Sequence, residues 1–245
     1  MRLYCKCTLP VDSPRASQGV HRRVRTLLRH LLAIFFRLFT HLQVEGVENI
    51  PAEGACLLTV NHLSVLDAPL VFHLVPRPDV TALAAKKHRR NPIFRWFVEQ
   101  ADGIWIDRHN PDAAALRQAR DLLRRGWIIG IAPEGTRSRT GALIEAKPGV
   151  AFLAMQADVP ILPAVVWGTE KAWGEWLRFR RPRLGVRFGE PFRLPPVERK
   201  RRDADLRRNT RLIMCRLAAL LPPAYRGVYA ECTEEKADSA EERAG

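Results

Sequence analysis

The sequence predicts an α/β domain with a mixed, largely parallel sheet flanked by helices. Short apolar runs alternate with helical patterns along most of the chain, which is the order of elements typical of such sheets. Several of the runs are apolar throughout, as strands buried on both faces are. Six runs are predicted as strands: Cys56–Val60, Val80–Ala84, Gly103–Ile106, Trp127–Ala132, Ile161–Trp167 and Leu184–Phe188.

Helical spacing of apolar residues separates these strands. The predicted helices are Val65–Val75, Pro92–Gln100, Ala113–Arg125, Gly149–Ala157 and a final Leu206–Leu221. No stretch rich in proline, glycine and serine divides the 245 residues into comparable halves. We therefore predict one domain at residues 43–225, preceded by an appendage at 1–42 and followed by an acidic, disordered tail at 226–245.

The appendage combines a polar start with an amphipathic helix predicted from Val24 to Leu42. Its longest uninterrupted apolar run, Leu31–Phe36, is too short to cross a bilayer. On a helical wheel the large apolar side chains form one arc, with Phe36 outside it, and basic residues such as Arg25 and Arg29 lie opposite. This pattern is typical of a helix lying in a membrane interface. A helix that docks the same face on its own domain would show the same pattern, but the motifs described below favour a helix in the interface of an anionic membrane.

The chain is strongly basic, with 40 Lys and Arg against 26 Asp and Glu and a formal net charge of +14. Fourteen basic residues fall within 178–216, whereas the last fifteen residues hold six acids and two basic residues. Such a field attracts polyanions, either nucleic acid or an anionic membrane surface. The basic stretch therefore leaves a nucleic-acid-binding module as an alternative of another class, although we find no zinc finger or other nucleic-acid-binding motif. We expect no specific nucleic acid partner.

The five cysteines form neither a CxxC pair nor a zinc-binding spacing with histidine. We therefore predict reduced thiols in the cytosol, no metal and no cofactor. No secretory signal peptide is expected, because the first apolar run begins late and no cleavage pattern follows it.

A histidine and a carboxylate follow the strand Cys56–Val60, in the segment from Asn61 to Asp67. Open α/β sheets place their ligands at such strand ends. His62 is expected in the turn before the helix and Asp67 in the first turns of that helix. A neutral imidazole can take a proton from a hydroxyl, and a carboxylate on its other nitrogen fixes the tautomer. Alternatively, Asn61, Ser64 and Asp67 merely cap the helix.

Further strand ends carry groups suited to an anion. Pro133–Ser138 follows the strand Trp127–Ala132, with Gly135 allowing close backbone approach and Arg137 offering a planar donor fork for phosphate. Asp107 and Arg108 follow Gly103–Ile106; Arg108 contacts the same anion or only pairs with Asp107. The apolar segment from Val159 to Gly168 is interpreted as a core strand with a structural role.

Four ordered blocks resemble the glycerolipid acyltransferases, which include 1-acylglycerol-3-phosphate and glycerol-3-phosphate acyltransferases. The blocks are NHxSxxD at 61–67, a GxIxIDR-like segment at 103–108, PEGTRS at 133–138 and VPIxP at 159–163, and the resemblance covers roughly residues 40–190. It implies His62 as general base and Asp67 as its orienter. It also implies five residues at the acceptor's glycerol-phosphate: Arg108, Glu134, Gly135, Thr136 and Arg137.

The resemblance also implies the reaction. An acyl chain would pass from acyl-CoA or acyl-carrier protein to the free hydroxyl of 1-acylglycerol-3-phosphate, forming phosphatidic acid in phospholipid biosynthesis. Another lysolipid or glycerol-3-phosphate remains an alternative acceptor. The expected location is the cell membrane, peripheral or interfacial on its cytoplasmic face.

Overall fold

The computed structural model describes residues 15–107 and 112–232, with side chains from residue 23 onward. These residues form one sheet of seven strands, in the spatial order β1-β7-β6-β2-β5-β3-β4. Neighbouring strands are parallel except β6 and β7, so the predicted mixed, largely parallel sheet is confirmed. The strands are β1 (His41–Glu45), β2 (Cys56–Val60), β3 (Val80–Ala85), β4 (Ile104–Ile106), β5 (Ile128–Ile131), β6 (Ile161–Trp167) and β7 (Arg183–Phe188).

Each of the six predicted strands is present with its ends within one residue of the prediction. The strand that the sequence did not predict is β1, which lies at the edge of the sheet beside β7. Its five residues alternate between exposed and half-buried, so they present no apolar run. The predicted helix therefore ends at Phe39 rather than at Leu42.

Helices cover both faces of the sheet. They are α1 (Arg15–Phe39), α2 (Asp67–Leu74), α3 (Pro92–Gln100), α4 (Ala113–Arg124), α5 (Gly149–Ala157), α6 (Ala172–Leu177) and α7 (Arg202–Leu220). Local signals start two of them: the Asn91 side chain accepts from Phe94 N at the start of α3, and Asp112 accepts from Ala115 N at the start of α4. The sequence did not predict α6, which is only six residues long and contains a glycine.

The strands alternate their side chains between two apolar cores, as the two-residue period of a strand requires. Leu57 and Ile129 face the core formed with α4, α5 and α7. Leu58 and Ile128 face the other core, which α1 and α2 cover. The strand ends that carry His62 and Pro133 lie at one edge of the sheet because β2 and β5 are parallel.

The α1 helix packs on the domain through Phe36 and Arg25, which the helical wheel placed outside the apolar arc, and through three partly buried residues of that arc: Leu28, Leu32 and Phe35. Phe36 is buried and its ring stacks on His73 of α2 at 5.1 Å between centroids. Arg25 is also buried, and its guanidinium bonds to Asp102 and to the carbonyl of Val80. Much of the predicted apolar arc stays exposed: Leu27, Leu31, Ile34, Leu38 and Phe39.

Nowhere in residues 15–107 and 112–232 does a helix have the length and apolar character needed to span a bilayer.

The chain after α7 returns to the loop that follows β5. Leu143 N donates to Tyr225 O at 2.9 Å, and Ala146 N donates to the Tyr229 hydroxyl at 3.3 Å. Residues 226–232, which the sequence analysis placed in a disordered tail, are thus packed against the domain. Residues 1–14 and 233–245 lie outside the described residues, and with them most of the polar start predicted at 1–20 and the rest of the tail. The last six residues of that predicted start, 15–20, are helical and begin α1.

A disulfide joins Cys215 of α7 to Cys232. The expectation that all five cysteines are reduced is therefore wrong for these two. Their separation of 17 residues carries no recognisable spacing, and only the return of the chain along α7 brings them together. Cys56 is a free, buried thiol, as expected of an incidental cysteine.

Candidate active site

His62 and Asp67 meet at the end of β2, where the imidazole Nδ1 lies 2.8 Å from Asp67 Oδ2. His62 lies in the turn before α2, and Asp67 is the first residue of that helix. The His62 side chain is 22% exposed, whereas Asp67 is buried. A carboxylate on Nδ1 fixes the tautomer that carries hydrogen on that nitrogen, so Nε2 is left as the proton acceptor.

The Asp67 carboxylate is held by three further donors. Its Oδ2 accepts from the backbone N–H groups of Leu63 and Ser64, each at 2.7 Å. Its Oδ1 accepts from the Thr169 hydroxyl at 2.6 Å. The side chain therefore points back to residues 62–64, which precede α2, instead of capping the helix. It also lies at the N-terminal end of α2, where the positive end of the helix dipole favours an anion.

Asn61 fixes the same turn to the neighbouring strand β6. Its side-chain Nδ2 donates to Val166 O at 2.9 Å, and its Oδ1 accepts from Val166 N at 2.8 Å. Both bonds are buried, so they are costly to break. The Asn61 amide thus provides hydrogen-bond partners for both backbone groups of Val166 near the end of β6, and it fixes the position at which the chain after β2 leaves the sheet.

Glu134 connects the Pro133–Ser138 loop to His62. Its Oε2 accepts from His62 N at 2.9 Å, its Oε1 accepts from Ile144 N at 3.1 Å, and Ser138 N donates to His62 O at 2.8 Å. The backbone of His62 is therefore held on both sides by one loop. Burial raises the pKa of Glu134 to about 7; the charge of Asp67 acts in the same direction, while the two backbone donors oppose it.

The tip of this loop is shaped by Gly135 and presents exposed polar groups. Gly135 has a φ of 68°, in the left-handed region that favours glycine, and its N–H donates to Ala132 O at 3.0 Å. Thr136 and Arg137 follow and are exposed. Within the described part of the chain, the Arg137 guanidinium has no hydrogen-bond or ion-pair partner, so its donor fork remains available to a ligand. Arg108 lies outside the described residues.

A cavity of about 440 Å³ opens at this site and continues beneath α2 and α3. His62, Asp67 and Arg137 line it together with Lys87 and His88, and all six residues of β3 form one wall. Because β3 is parallel to the strands around it, Val80 marks the edge of the sheet opposite His62, and at ~3.3 Å per residue that wall is about 16 Å long. The deeper lining is apolar: Leu58, Val71, Phe72, Val75, Phe97, Val98 and Ala101.

One residue of this site, Thr169, was not predicted from the sequence, and one predicted residue, Glu134, makes contacts that the sequence did not indicate. Thr169 lies two residues after the end of β6 and reaches Asp67, but the segment predicted to be structural ended at Gly168. Glu134 was placed at the acceptor by resemblance, and in the structure its buried carboxylate binds backbone N–H groups. No group of three or more His, Cys, Asp or Glu side chains gathers as a metal site within residues 15–107 and 112–232.

A known family model covers the part of the chain that contains the His62–Asp67 pair. The family model described as Acyltransferase matches residues 41–167, which run from β1 to the end of β6. The chain therefore belongs to the Acyltransferase family, as its ordered motifs predict.

Individual relatives point in the same direction. The chain is 35% identical over 145 residues to a 1-acyl-sn-glycerol-3-phosphate acyltransferase of Cocos nucifera, a match that covers 58% of this chain and 47% of that protein. It is 26% identical to the Bacillus subtilis protein of the same name, with 66% of this chain and 78% of that protein covered. The chain spans about half the length of the plant relatives that it matches.

The fold also resembles a solved structure. It matches the crystal structure of the 1-acyl-sn-glycerophosphate acyltransferase PlsC from Thermotoga maritima with a TM-score of 0.60 and 25% sequence identity. The match covers 80% of this chain and 79% of that one. It therefore extends beyond the residues of the family model.

Proposed function

We propose that this chain transfers a fatty acyl group from a thioester donor to the free hydroxyl of 1-acylglycerol-3-phosphate, forming phosphatidic acid. One observation carries the proposal: the His62–Asp67 pair, the free Arg137 guanidinium and a long apolar wall line a single cavity. A base, an anion-binding group and room for an acyl chain are what this reaction requires.

His62 acts on the acceptor. Its Nε2 takes the proton of the lipid hydroxyl while Nδ1–H stays bonded to Asp67, whose charge stabilises the imidazolium that forms. The acceptor oxygen then attacks the thioester carbonyl carbon, and the C–S bond breaks as the intermediate collapses. The imidazolium returns the proton to the leaving thiolate, so the histidine ends the cycle neutral.

The acceptor's phosphate is placed by Arg137 with Thr136, at the mouth of the cavity. Lys87 adds a positive charge to the lining of the same cavity. A guanidinium binds phosphate through two parallel hydrogen bonds, which orients the glycerol as well as holding it. Glu134 and Gly135 support this arrangement from behind by fixing the loop against His62.

The apolar part of the cavity receives the acyl chain of the donor, which is acyl-CoA or acyl-carrier protein. Burying a methylene group stabilises a complex by about 0.8 kcal/mol, so a long chain contributes most of its binding energy through this wall. The acceptor comes from the cell membrane. The protein is peripheral on its cytoplasmic face, where the donor is available, and the exposed residues Leu31, Ile34 and Leu38 of α1 lie in the interface.

The test supplies the purified chain with acyl-CoA and acyl-carrier protein in turn and with a panel of acceptors. The panel contains 1-acylglycerol-3-phosphate, glycerol-3-phosphate and lysolipids without a free phosphate, and products are identified by mass. Phosphatidic acid as the main product is the expected result. A product from another acceptor changes the acceptor assignment, and the absence of acyl transfer from both donors rejects the proposal.

A further inference from the structure

The large exposed apolar side chains are distributed unevenly over the two faces of the sheet. On the face covered by α1 they include Ile93 and Trp96 of α3, Trp173 and Leu177 of α6, and Phe179 just after α6. On the face covered by α4, α5 and α7, the described residues offer only Val228, from the segment after α7. The apolar surface is thus wider than α1 alone and belongs to one side of the molecule.

Phe179 is the most unusual residue of this surface. Its side chain is fully exposed, and its φ of 56° lies in the left-handed region that disfavours a bulky side chain. It occupies the position after α6 that helices usually give to glycine. A phenylalanine there costs both backbone strain and apolar exposure, a combination that marks sites held for function.

The end of α6 is joined to the end of α1. The Trp176 indole donates to Phe39 O at 2.8 Å, and its ring meets Phe35 edge-on at 5.6 Å. Arg181 donates to the carbonyl of Arg37 at 2.7 Å and so stabilises the last turn of α1. Because of these contacts, the exposed side chains of α6 and α1 keep a fixed relation to each other.

The charge around Phe179 selects among possible partners. Arg178, Arg180, Arg181 and Arg183 are all exposed within six residues, and because, among the described residues, only Arg178 of these pairs with an acid, Glu175 at 3.5 Å, the cluster keeps a net positive charge. Two copies of the chain meeting at this surface would bring the same positive charges together, which is unfavourable. An anionic lipid surface instead offers headgroups to the arginines and acyl chains to the aromatic and aliphatic residues.

We propose that α6 and the turn at Phe179 form a second membrane-insertion element, which enters an anionic bilayer beside α1. Trp173, Leu177 and Phe179 enter the boundary between headgroups and acyl chains, and the arginines at 178–183 remain at the headgroups. Two contacts separated along the surface fix the orientation of the domain on the bilayer, which one amphipathic helix does not. The inference rests on the proposed function only in taking the bilayer as the source of the acceptor.

The test uses Phe179→Gly, because glycine removes the side chain and relieves the backbone strain together. Binding to vesicles of phosphatidylcholine with phosphatidylglycerol is expected to weaken about 10- to 100-fold, since one phenylalanine is no longer buried. The melting temperature is expected to stay equal or rise, so unfolding cannot explain the loss. Val228→Ser, an exposed apolar residue on the other face, is the matched control and is expected to bind as the wild type does.

Two further measurements assign the result. Brominated lipids are expected to quench the fluorescence of the wild type more than that of Trp173→Phe. The proposal would be overturned if Phe179→Gly bound vesicles as tightly as the wild type. It would also be overturned if the wild type were a dimer and Phe179→Gly a monomer, with no difference in vesicle binding. A vesicle-free assay with a short-chain, monomeric lysophosphatidate separates the membrane proposal from the proposed acyl transfer. In this assay Phe179→Gly is expected to keep the wild-type rate. If neither protein is active there, the proposed acyl transfer has failed rather than the membrane proposal.

Discussion

The Thr169 hydroxyl donates to Asp67 Oδ1 at 2.6 Å, although the two residues are 102 positions apart in the sequence. Both are buried, and Asp67 uses its other oxygen for His62 and two backbone N–H groups. The hydroxyl therefore provides a hydrogen bond to Oδ1, the carboxylate oxygen that receives none from residues 62–64. Because Thr169 lies two residues after the end of β6, this bond makes that strand part of the support for the candidate base.

Thr169→Val tests this support. Valine has nearly the shape of threonine but leaves the buried Oδ1 unpaired, which costs about 1–3 kcal/mol for a charged acceptor. We expect kcat to fall about tenfold with little change in the KM of either substrate, because the orientation of His62 is affected and substrate contacts are not. Thr169→Ser restores the hydroxyl and is expected to keep most of the activity. An unchanged kcat in the valine variant would remove Thr169 from the site's support.

His62→Ala and Asp67→Asn test the base and its orienter. Loss of general-base catalysis reduces turnover by about 10²–10⁴-fold, so we expect residual rates in that range. Vesicle binding is expected to stay at the wild-type level, because neither residue belongs to the exposed apolar surface. Steady-state kinetics and a vesicle flotation assay measure the two properties. Substantial activity in His62→Ala would reject the role of the imidazole.

Glu134 makes the stability of the domain depend on pH. Its carboxyl holds a proton up to a pKa of about 7 when folded, against an ordinary value of 4.5, so the folded state binds more protons between these values. The stability that it contributes is thus greatest below pH 4.5 and is lost as the pH rises toward 7. The full change is on the order of 3 kcal/mol, at ~1.4 kcal/mol per pH unit.

Glu134→Gln removes this titration, so its free energy of unfolding is expected to vary less between pH 5 and pH 7.5 than that of the wild type. Chemical denaturation of both proteins at several pH values gives the difference directly. Glutamine also places an N–H₂ against one of the two backbone donors, so a reduced kcat is expected at every pH. Parallel stability curves for the two proteins would show that Glu134 does not titrate in this range.

The two sides of α1 are expected to respond differently to substitution. Leu31→Ser with Leu38→Ser alters only exposed side chains, so vesicle binding should weaken while the melting temperature stays near the wild-type value. Phe36→Ala empties a buried position and should cost about 3–5 kcal/mol of stability. Deleting residues 1–42 would combine both effects, which is why point substitutions are needed. Equal vesicle binding by the double serine variant would reject a membrane role for this face.

The sequence predicts most of the sheet because buried strands appear as apolar runs whose ends are marked by polar or proline-containing segments. It also identifies His62 and Asp67, since five residues of local chain bring them together. The features that it missed depend on distant parts of the chain. Thr169 reaches Asp67 only through the pairing of β2 with β6, and Arg25 is buried where it meets Asp102 and the carbonyl of Val80, which lie more than 50 residues away in the sequence. Helix periodicity alone could not show that Phe36 is buried while Leu31 stays exposed.

If the cavity receives the donor's acyl chain as proposed, we expect its deep end to set the longest chain that fits. Ala101 lines the cavity close to Thr81, whose hydroxyl donates to Asp102 O, and both lie toward the edge of the sheet opposite His62. Ala101→Leu adds three carbon atoms at a buried, closely packed position. The rate with long-chain donors is therefore expected to fall about tenfold, which corresponds to ~1.4 kcal/mol of lost chain burial.

Shorter donors end before this position, so their rates are expected to stay within about twofold of the wild type, a difference of less than ~0.5 kcal/mol. Competition between donors of different chain length, with products separated by mass, measures the preference in one reaction. Val65→Leu, at an exposed position on the cavity's rim, is the matched control and should leave the preference unchanged. A uniform loss of rate over all chain lengths in Ala101→Leu would mean that the acyl chain does not reach the deep end of this cavity.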